Sequence, residues 1–214
     1  MSANFRNPNF LLPNELNRKL PASGAETGSG LTEDRQSLYS MDFDGSSFVS
    51  ASNTFLNSST AFSVSVWFKL ATSSSILILG DIITTNSSGF SLSYDGQWST
   101  VRFRTMNGSN MYLDFSLAGD TDWHHFVGVF ESDSNKIYHN GSLVATSTAA
   151  QIPTTMPATF GNDFKIGSDS APSETFGVGQ IDEVAIFNSA LTLSEVQALS
   201  TASAPANIMA LSNK

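Results

Sequence analysis

Cysteine is absent from this chain of 214 residues. Its absence excludes disulfide bonds, zinc sites built on thiolates and catalysis by a thiol nucleophile. Charged residues are also scarce, at 14% of the chain, against about 25% in an average soluble domain. The 10 basic and 19 acidic residues give a formal net charge of -9, and no cluster of lysine and arginine occurs. We therefore expect no nucleic-acid partner, because a phosphate backbone repels such a chain.

Long apolar runs are missing as well. The sequence has no apolar stretch of the roughly 18 residues that predict a membrane-spanning helix. Its beginning lacks the apolar segment of a signal peptide. We therefore expect a protein that is made in a host cytoplasm without a signal peptide and does not insert into a membrane.

The residues that are present favour β-strands. The chain contains 16 phenylalanines and many serines, valines and isoleucines, and aromatic and β-branched side chains suit a pleated sheet. In segment 61–70, Phe62, Val64 and Val66 share one face of a predicted strand, while serines occupy the other face. Short alternating runs of this kind recur between residues 38 and 188, separated by turn residues. The pattern predicts an all-β antiparallel sandwich.

Turn and capping residues predict how the elements connect. The only predicted helix begins at Thr192, whose hydroxyl and the Glu195 carboxylate form a capping box. This helix is expected to be short, about two turns, and to pack on the sandwich near the C-terminus. Three dipeptides that tolerate positive φ predict tight turns between adjacent strands, namely Asp95-Gly96, Asn107-Gly108 and Asn140-Gly141.

Composition divides the chain into three parts. Residues 1–36 are predicted to form an extended N-terminal arm, residues 37–200 the sandwich and residues 201–214 a C-terminal tail. The arm is rich in proline, glycine, serine and asparagine, so it is not expected to fold alone. We expect its apolar side chains to anchor it on a neighbouring chain, and these are Phe5, Phe10, Leu11 and Leu12.

Six blocks of the sequence resemble the laminin G-like group of concanavalin A-like jelly rolls. In order, they are SMDFDGSSFVS (40–50), AFSVSVWFKL (61–70), WHHFVGVFE (123–131), KIYHNGSLVAT (136–146), FKIGSD (164–169) and GQIDEVAIFNSALTLSEV (179–196). The resemblance implies a two-sheet antiparallel jelly-roll sandwich whose first and last core strands are neighbours. It also implies that loops or a concave sheet bind glycans or proteins. We expect the core to contain Phe43, Phe62, Val64, Val66, Phe103, Phe115, Val127, Val129, Val184 and Ile186.

Two strands of a predicted hairpin, residues 100–116, supply the best candidate for a ligand surface. Alternation places two arginines on one face of the first strand, and a tyrosine and an aspartate on one face of the second. The turn predicted between the strands brings the four side chains together, beside an exposed tryptophan of the preceding turn. Such a set can contact sugars or proteins. The alternative is a set of cross-strand ion pairs and a rim aromatic. The candidate residues are Trp98, Arg102, Arg104, Tyr112 and Asp114.

Calcium is the candidate metal, because carboxylate oxygens on the loops of a sandwich suit it. The alternative is that aspartates at strand ends form turns by accepting hydrogen bonds from their own backbone. No pattern in the sequence requires a cofactor. The candidate calcium ligands are Asp44, Asp81, Asp163 and Asp182.

Catalytic patterns are weaker. Sugar-cleaving relatives with this fold carry acidic residues alternating along one strand, close to ExDxxE, and this chain has no such run. The nearest approach, at residues 131–133, falls at a predicted turn. His124 and His125 are adjacent on a strand and therefore point to opposite faces, while His139 has no partner nearby in the sequence. We expect structural histidines and no enzymatic activity.

Two classes of function fit these features. One is a structural or adhesive component of a bacteriophage virion, such as a capsid decoration or tail-fibre protein, that contacts other virion proteins and copies of itself. Its expected location is the virion, with an extracellular location as the alternative. The second class is a lectin that binds cell-surface glycans, a property that a virion protein can also have. A polysaccharide-cleaving enzyme of the same fold is a third alternative, disfavoured by the missing acidic strand.

Overall fold

The computed structural model describes residues 40–52, 54–81, 88–108, 110–148, 152–160, 163–169 and 176–202. The N-terminal arm, with its proposed anchors Phe5, Phe10, Leu11 and Leu12, lies outside these ranges, as does the tail after residue 202. The expectations for both segments stay predictions. Within the described ranges, no helix has the length and apolar character needed to cross a membrane.

The described chain folds into twelve β-strands followed by one helix. In chain order these are β1 (Met41–Asp44), β2 (Val49–Ala51), β3 (Ala61–Leu70), β4 (Ile76–Gly80), β5 (Ser88–Asp95), β6 (Thr100–Asn107), β7 (Asn110–Ser116), β8 (His124–Glu131), β9 (Ser134–His139), β10 (Ser142–Ser147), β11 (Phe164–Ile166), β12 (Val178–Phe187) and α1 (Leu193–Ala202).

The strands form two antiparallel sheets of six strands each. The first sheet has the order β1-β12-β3-β8-β9-β10, and the second has the order β2-β11-β4-β5-β6-β7. The expected pairing of the first and last core strands is confirmed, because Phe43 of β1 lies opposite Gly179 of β12. The all-β jelly-roll sandwich is therefore confirmed. Strand β2 is not predicted from the sequence, because its three residues are too few to show alternation. Its pairing with β11 defines it as a strand.

The sandwich core is built from the inward side chains of both sheets. Phe62, Val64 and Val66 of β3 have no solvent exposure. The Phe62 ring packs against Phe90 of the second sheet, with ring centroids 5.0 Å apart. Burial of aliphatic and aromatic side chains between two sheets is the main stabilising term in such a fold.

Three of the expected core positions differ from the prediction. Phe115, Val184 and Ile186 pack against the core but are only partly buried. Phe115 lies on β7, which forms an edge of the second sheet, and an irregularity in the β12 register falls beside Val184. Val127 and Val129 are buried, as predicted, in a separate cluster under the C-terminal segment.

That separate cluster covers the outer face of the first sheet. Leu191 and Val196 pack on it. The Ser63 hydroxyl accepts a hydrogen bond from the Leu191 amide (2.9 Å) and donates one to the Ser189 carbonyl (2.9 Å). Both faces of β3 are consequently buried, including the serine face that alternation alone assigns to solvent. Among the described residues, no comparable apolar cluster covers the outer face of the second sheet.

The capping box of the helix is confirmed. The Glu195 carboxylate accepts hydrogen bonds from the Thr192 amide and the Thr192 hydroxyl, both at 2.8 Å. The helix has 10 residues, longer than the two turns expected, because its packed side chains continue to Leu199. The turn at residues 140–141 is also confirmed, since Asn140 and Gly141 have φ angles of 47° and 79°, as a tight hairpin between β9 and β10 requires.

Candidate functional site

The register of β6 and β7 brings four predicted site residues together. Arg102 lies opposite Asp114, and Arg104 lies opposite Tyr112. Between them along the strand, Phe103 points into the core and is fully buried, so the arginines point outward. We call the outward side chains of Arg102, Arg104, Tyr112 and Asp114 the arginine surface. It lies on the outer face of the second sheet, as the hairpin prediction required.

Arg102 contacts both Asp114 and Tyr112 on the neighbouring strand. Its Nε donates to Asp114 Oδ1 and its Nη2 donates to Asp114 Oδ2, both at 2.7 Å. Its guanidinium also lies over the Tyr112 ring, 4.4 Å from the ring centroid. The hydrogen bond with Asp114 raises the pKa of Arg102 above its ordinary value. A two-bond pair of this kind fixes the planes of both groups and neutralises the charge of Arg102.

Arg104 has a different environment. Its Nε is buried, and no hydrogen-bond acceptor from the described ranges lies within reach of it. Burial lowers the pKa of Arg104, and the nearby positive charge of Arg102 lowers that pKa further. On the neighbouring strand β5, Ser91 is paired with Arg104 and Ser93 is paired with Arg102. Two hydroxyl groups therefore lie beside the two guanidinium groups. One arginine is thus neutralised within the surface, and its neighbour is not.

Trp98 is exposed, as predicted, with 73% of its surface accessible. It lies in the turn between β5 and β6, outside the arginine surface. Its amide donates to Asp95 Oδ1 at 3.1 Å, and its carbonyl accepts a hydrogen bond from the Thr100 hydroxyl at 2.9 Å. The backbone that carries the indole is therefore anchored at the end of the same strands.

Lys165 is an outward residue of this sheet that the sequence did not suggest. It lies on β11 opposite Gly80, and Gly80 lies opposite Ser91, so Lys165 shares the face of Arg104 at a distance of about 14 Å across three strand spacings. Its ammonium lies 4.3 Å from the centroid of the Phe48 ring. β11 has only three residues and pairs with strands far away in the sequence, so no local signal reveals this placement.

The four candidate calcium ligands have separate environments. Asp44 accepts hydrogen bonds from the Ser46 amide (3.0 Å) and the Ser46 hydroxyl (2.8 Å), which lower its pKa. Asp81 accepts from the Phe90 amide at 2.7 Å. Asp163 and Asp182 also accept local or cross-strand bonds. No group of three or more histidine or acidic side chains able to hold a metal occurs in the described part of the chain. The calcium site stays a prediction.

The three histidines pack against aromatic side chains of the sandwich. His124 and His125 point to opposite faces, as predicted. His139 has no partner nearby in the sequence, but the fold gives it one 15 residues away, because its Nε2 lies 2.8 Å from His124 Nδ1. His124 Nε2 in turn lies 2.8 Å from Asp120 Oδ1. The register of β8 and β9 creates this chain of contacts by placing His139 opposite Phe126.

The segment at residues 131–133 forms a turn, as expected, with Asp133 at a φ of 74°. Glu131 forms an ion pair with Lys136 across the hairpin. A small cavity of about 250 Å³ lies elsewhere, at the β1, β12 and β3 end of the first sheet. In this cavity Gln180 Nε2 donates to Asp42 Oδ1 at 2.7 Å, so these two polar groups satisfy each other.

A family model described as the concanavalin A-like lectin/glucanases superfamily matches residues 43–197. The chain belongs to this superfamily. The match runs from the second half of β1 through β12 to the middle of the C-terminal helix, so the resemblance seen in the sequence is confirmed. No curated protein sequence matches the chain.

Solved structures with the same fold come from sugar-binding and extracellular proteins. The Ruminococcus gnavus IT-sialidase CBM40 has a TM-score of 0.58 and 14% identity, over 77% of this chain and 99% of that one. Domain 4 of AbnA, an extracellular arabinanase from Geobacillus stearothermophilus, has a TM-score of 0.56 and 21% identity, over 76% of each chain. Domains LG4-5 of the mouse laminin alpha1 chain have a TM-score of 0.54 and 12% identity, over 72% of this chain and 44% of that one. At these identities the similarity shows the fold.

Proposed function

We propose that this protein is a non-enzymatic carbohydrate-binding protein and that its ligand lies on the arginine surface. The observation that carries the proposal is the asymmetry of the two sheets. The C-terminal segment buries the outer face of the first sheet, while the outer face of the second sheet carries guanidinium, phenol, carboxylate and hydroxyl groups. Solved structures of the same fold in complex with sialyllactose and with arabinotriose support the choice of ligand class.

The side chains of the arginine surface suit a sugar. Tyr112 is 51% exposed, and an aromatic ring next to polar groups can cover the apolar C–H face of a pyranose. Arg102 and Asp114 hold each other in place, so the donors and acceptors they present are ordered before any ligand arrives. Preorganised groups of this kind lower the entropic cost of binding. Trp98 in the adjoining turn offers a second ring for a longer oligosaccharide.

The same surface does not suit glycoside hydrolysis. Hydrolysis requires two carboxyl groups about 5 to 9 Å apart, one of which is protonated as the acid. The arginine surface contains one carboxylate, Asp114, and both of its oxygens accept hydrogen bonds from Arg102. Binding without turnover is therefore the function that this geometry supports.

The proposal is tested by measuring binding of the full chain to an oligosaccharide panel, followed by calorimetry with two variants. Tyr112→Ala removes the ring of the surface, and Leu143→Ala removes a side chain of equal exposure on the first sheet. We expect Tyr112→Ala to weaken binding at least about tenfold, the loss expected for a contact residue, and Leu143→Ala to leave it unchanged. Absence of binding to every glycan, or equal binding by Tyr112→Ala and the unmodified chain, would refute the proposal.

The arm supports a finer proposal, namely that the protein is a bacteriophage virion component in which Phe5, Phe10, Leu11 and Leu12 dock on another virion protein. This idea rests on composition, because a segment so poor in apolar residues needs external contacts to become ordered. The test is deletion of residues 1–30. Loss of incorporation into particles with an unchanged melting temperature is expected. Undiminished assembly contradicts the proposal, and so does a large fall in melting temperature.

A further inference from the structure

Most of the lysines and arginines in the described part of the chain lie on one face of the second sheet. The described residues include five lysines and arginines. Lys69 lies over the Trp123 ring at 6.0 Å, and Lys136 forms an ion pair with Glu131. The three others share the outer face of the second sheet, and they are Arg102, Arg104 and Lys165. In a chain with a formal net charge of -9, three of the five described cations thus lie on one sheet face, where Asp114 pairs with Arg102.

The strand register leaves one of the two adjacent guanidinium groups without a carboxylate. The cross-strand neighbour of Arg102 is Asp114, but the cross-strand neighbour of Arg104 is Tyr112. Among the described residues, no atom accepts a hydrogen bond from Arg104 Nε, which is buried. A guanidinium does not deprotonate in a protein, and a partly buried cation is costly unless an anion compensates it.

The environment of Arg104 agrees with this cost. Burial and the charge of Arg102 lower the pKa of Arg104, and these effects outweigh the opposing effects of Asp114, Tyr112 and Asp169. The same Asp114 that neutralises Arg102 therefore does not fully compensate Arg104. The site lacks one negative charge at the position of Arg104.

We propose that the arginine surface selects sugars that carry a carboxylate and that Arg104 is the residue that receives it. This inference rests on the proposed carbohydrate-binding function and names its ligand class. The planar fork of a guanidinium matches the two oxygens of a carboxylate. The Arg102–Asp114 pair shows that this geometry fits the sheet face one outward position away, about 7 Å along the strand. The strand register places Tyr112 opposite Arg104. The carboxylate that pairs with Arg104 is therefore supplied by the ligand.

The test compares pairs of probes that differ only in charge. Calorimetry on the full chain uses trigalacturonic acid and 3′-sialyllactose, each together with its carboxyl methyl ester. We expect at least one acid to bind about tenfold or more tightly than its ester, because hydrogen bonds to charged groups contribute more than neutral ones. We expect this preference to decline as salt is added.

Two variants assign the effect to Arg104. Arg104→Gln is expected to abolish the preference for the acid over its ester. Lys69→Gln makes the same change of charge on the first sheet and is expected to leave the preference intact. Arg104→Lys keeps the charge without the fork, and we expect an intermediate preference. Melting temperatures of all three variants check folding, and if Arg104→Gln fails to fold, Arg104→Lys decides the outcome.

The results that would contradict the inference differ from those that would also contradict the proposed carbohydrate-binding function. If acid and ester bind equally and Arg104→Gln has no effect, the inference is wrong while carbohydrate binding stands. A preference for a sulfated oligosaccharide over both carboxylated probes also overturns the inference, and so does an equal loss in Lys69→Gln, which would indicate a general charge effect. If no glycan binds, charged or neutral, the proposed function and the inference fail together.

Discussion

Acidification should destabilise the protein through a buried histidine, His125. Its side chain is almost fully buried, with 1% exposure. Its Nε2 lies 2.8 Å from Ser65 Oγ, its Nδ1 has no hydrogen-bond partner, and its ring lies 5.1 Å from the Trp67 ring. Burial, and then the proximity of His139, lowers the pKa of His125 from 6.5 to about 4. The folded protein therefore holds this imidazole neutral.

The direction of the pH effect follows from that difference. The unfolded chain binds a proton at His125 below about pH 6.5, whereas the folded chain does not until about pH 4. The stabilisation is complete above the unfolded pKa and is lost as the pH falls toward the folded pKa. Between pH 7.5 and pH 5 the loss is about 2 kcal/mol for His125, which corresponds to a fall of roughly 4 to 8 °C in melting temperature.

The interval from pH 7.5 to pH 5 separates this effect from that of the carboxylates whose pKa values are lowered, while burial raises the pKa of Glu183, and protonation of that group acts with the opposite sign. Asp44, Asp120 and Glu195 have lowered pKa values, so the stability they contribute is lost only below about pH 4.5. His139 also has a pKa lowered to about 4, and it adds a loss of the same sign. A variant is therefore needed to assign the share of His125.

His125→Gln supplies that comparison, because glutamine can hydrogen bond to Ser65 but does not titrate. Urea denaturation at both pH values gives the free energy of unfolding for the two proteins. We expect His125→Gln to be less stable at pH 7.5, yet to lose about 2 kcal/mol less than the unmodified protein on acidification. If both proteins lose the same free energy, His125 does not titrate as argued and the reasoning is wrong.

Four further predictions concern folding and activity. Val66→Asp should abolish folding, seen as loss of the β-sheet circular dichroism signal, because it places an unpaired charge in the core. Gly128→Ala should cost about 1 to 3 kcal/mol in urea denaturation, since a Cβ there would lie 2.5 Å from the Phe103 ring. Thr192→Ala should cost about 1 kcal/mol by loss of the helix cap. The purified full chain should leave β-glucans, alginates and sialosides intact, and turnover that disappears in a Glu131→Gln variant would contradict this expectation.

Local sequence signals determined the fold class and the geometry of the candidate surface. A strand has a period of two, so the alternation in residues 100–116 decides which side chains face outward. The turn near Asn107-Gly108 brings the two strands together, and in the observed register Met106 lies opposite Asn110, which places Arg102 opposite Asp114. The helix cap at Thr192 is equally local. The direction of these side chains and the helix cap depend on residues that are close in the sequence, and both were predictable.

Features that depend on distant residues were decided only by the tertiary structure. The serine face of β3 is buried because a segment more than 120 residues away packs over it, as the Ser63 bond to Leu191 shows. His139 meets His124 only through the pairing of β8 with β9.

The partnerless state of Arg104 Nε is also a tertiary result. Alternation along β6 places Arg102 and Arg104 on the same face of the sheet. The register of the hairpin gives only the residue that lies opposite each arginine. Whether any other element of the chain supplies an acceptor depends on how both sheets, the loops and the helix pack together. The sequence thus determined that two arginines share one surface, while long-range packing decided that only one of them is neutralised by the protein itself.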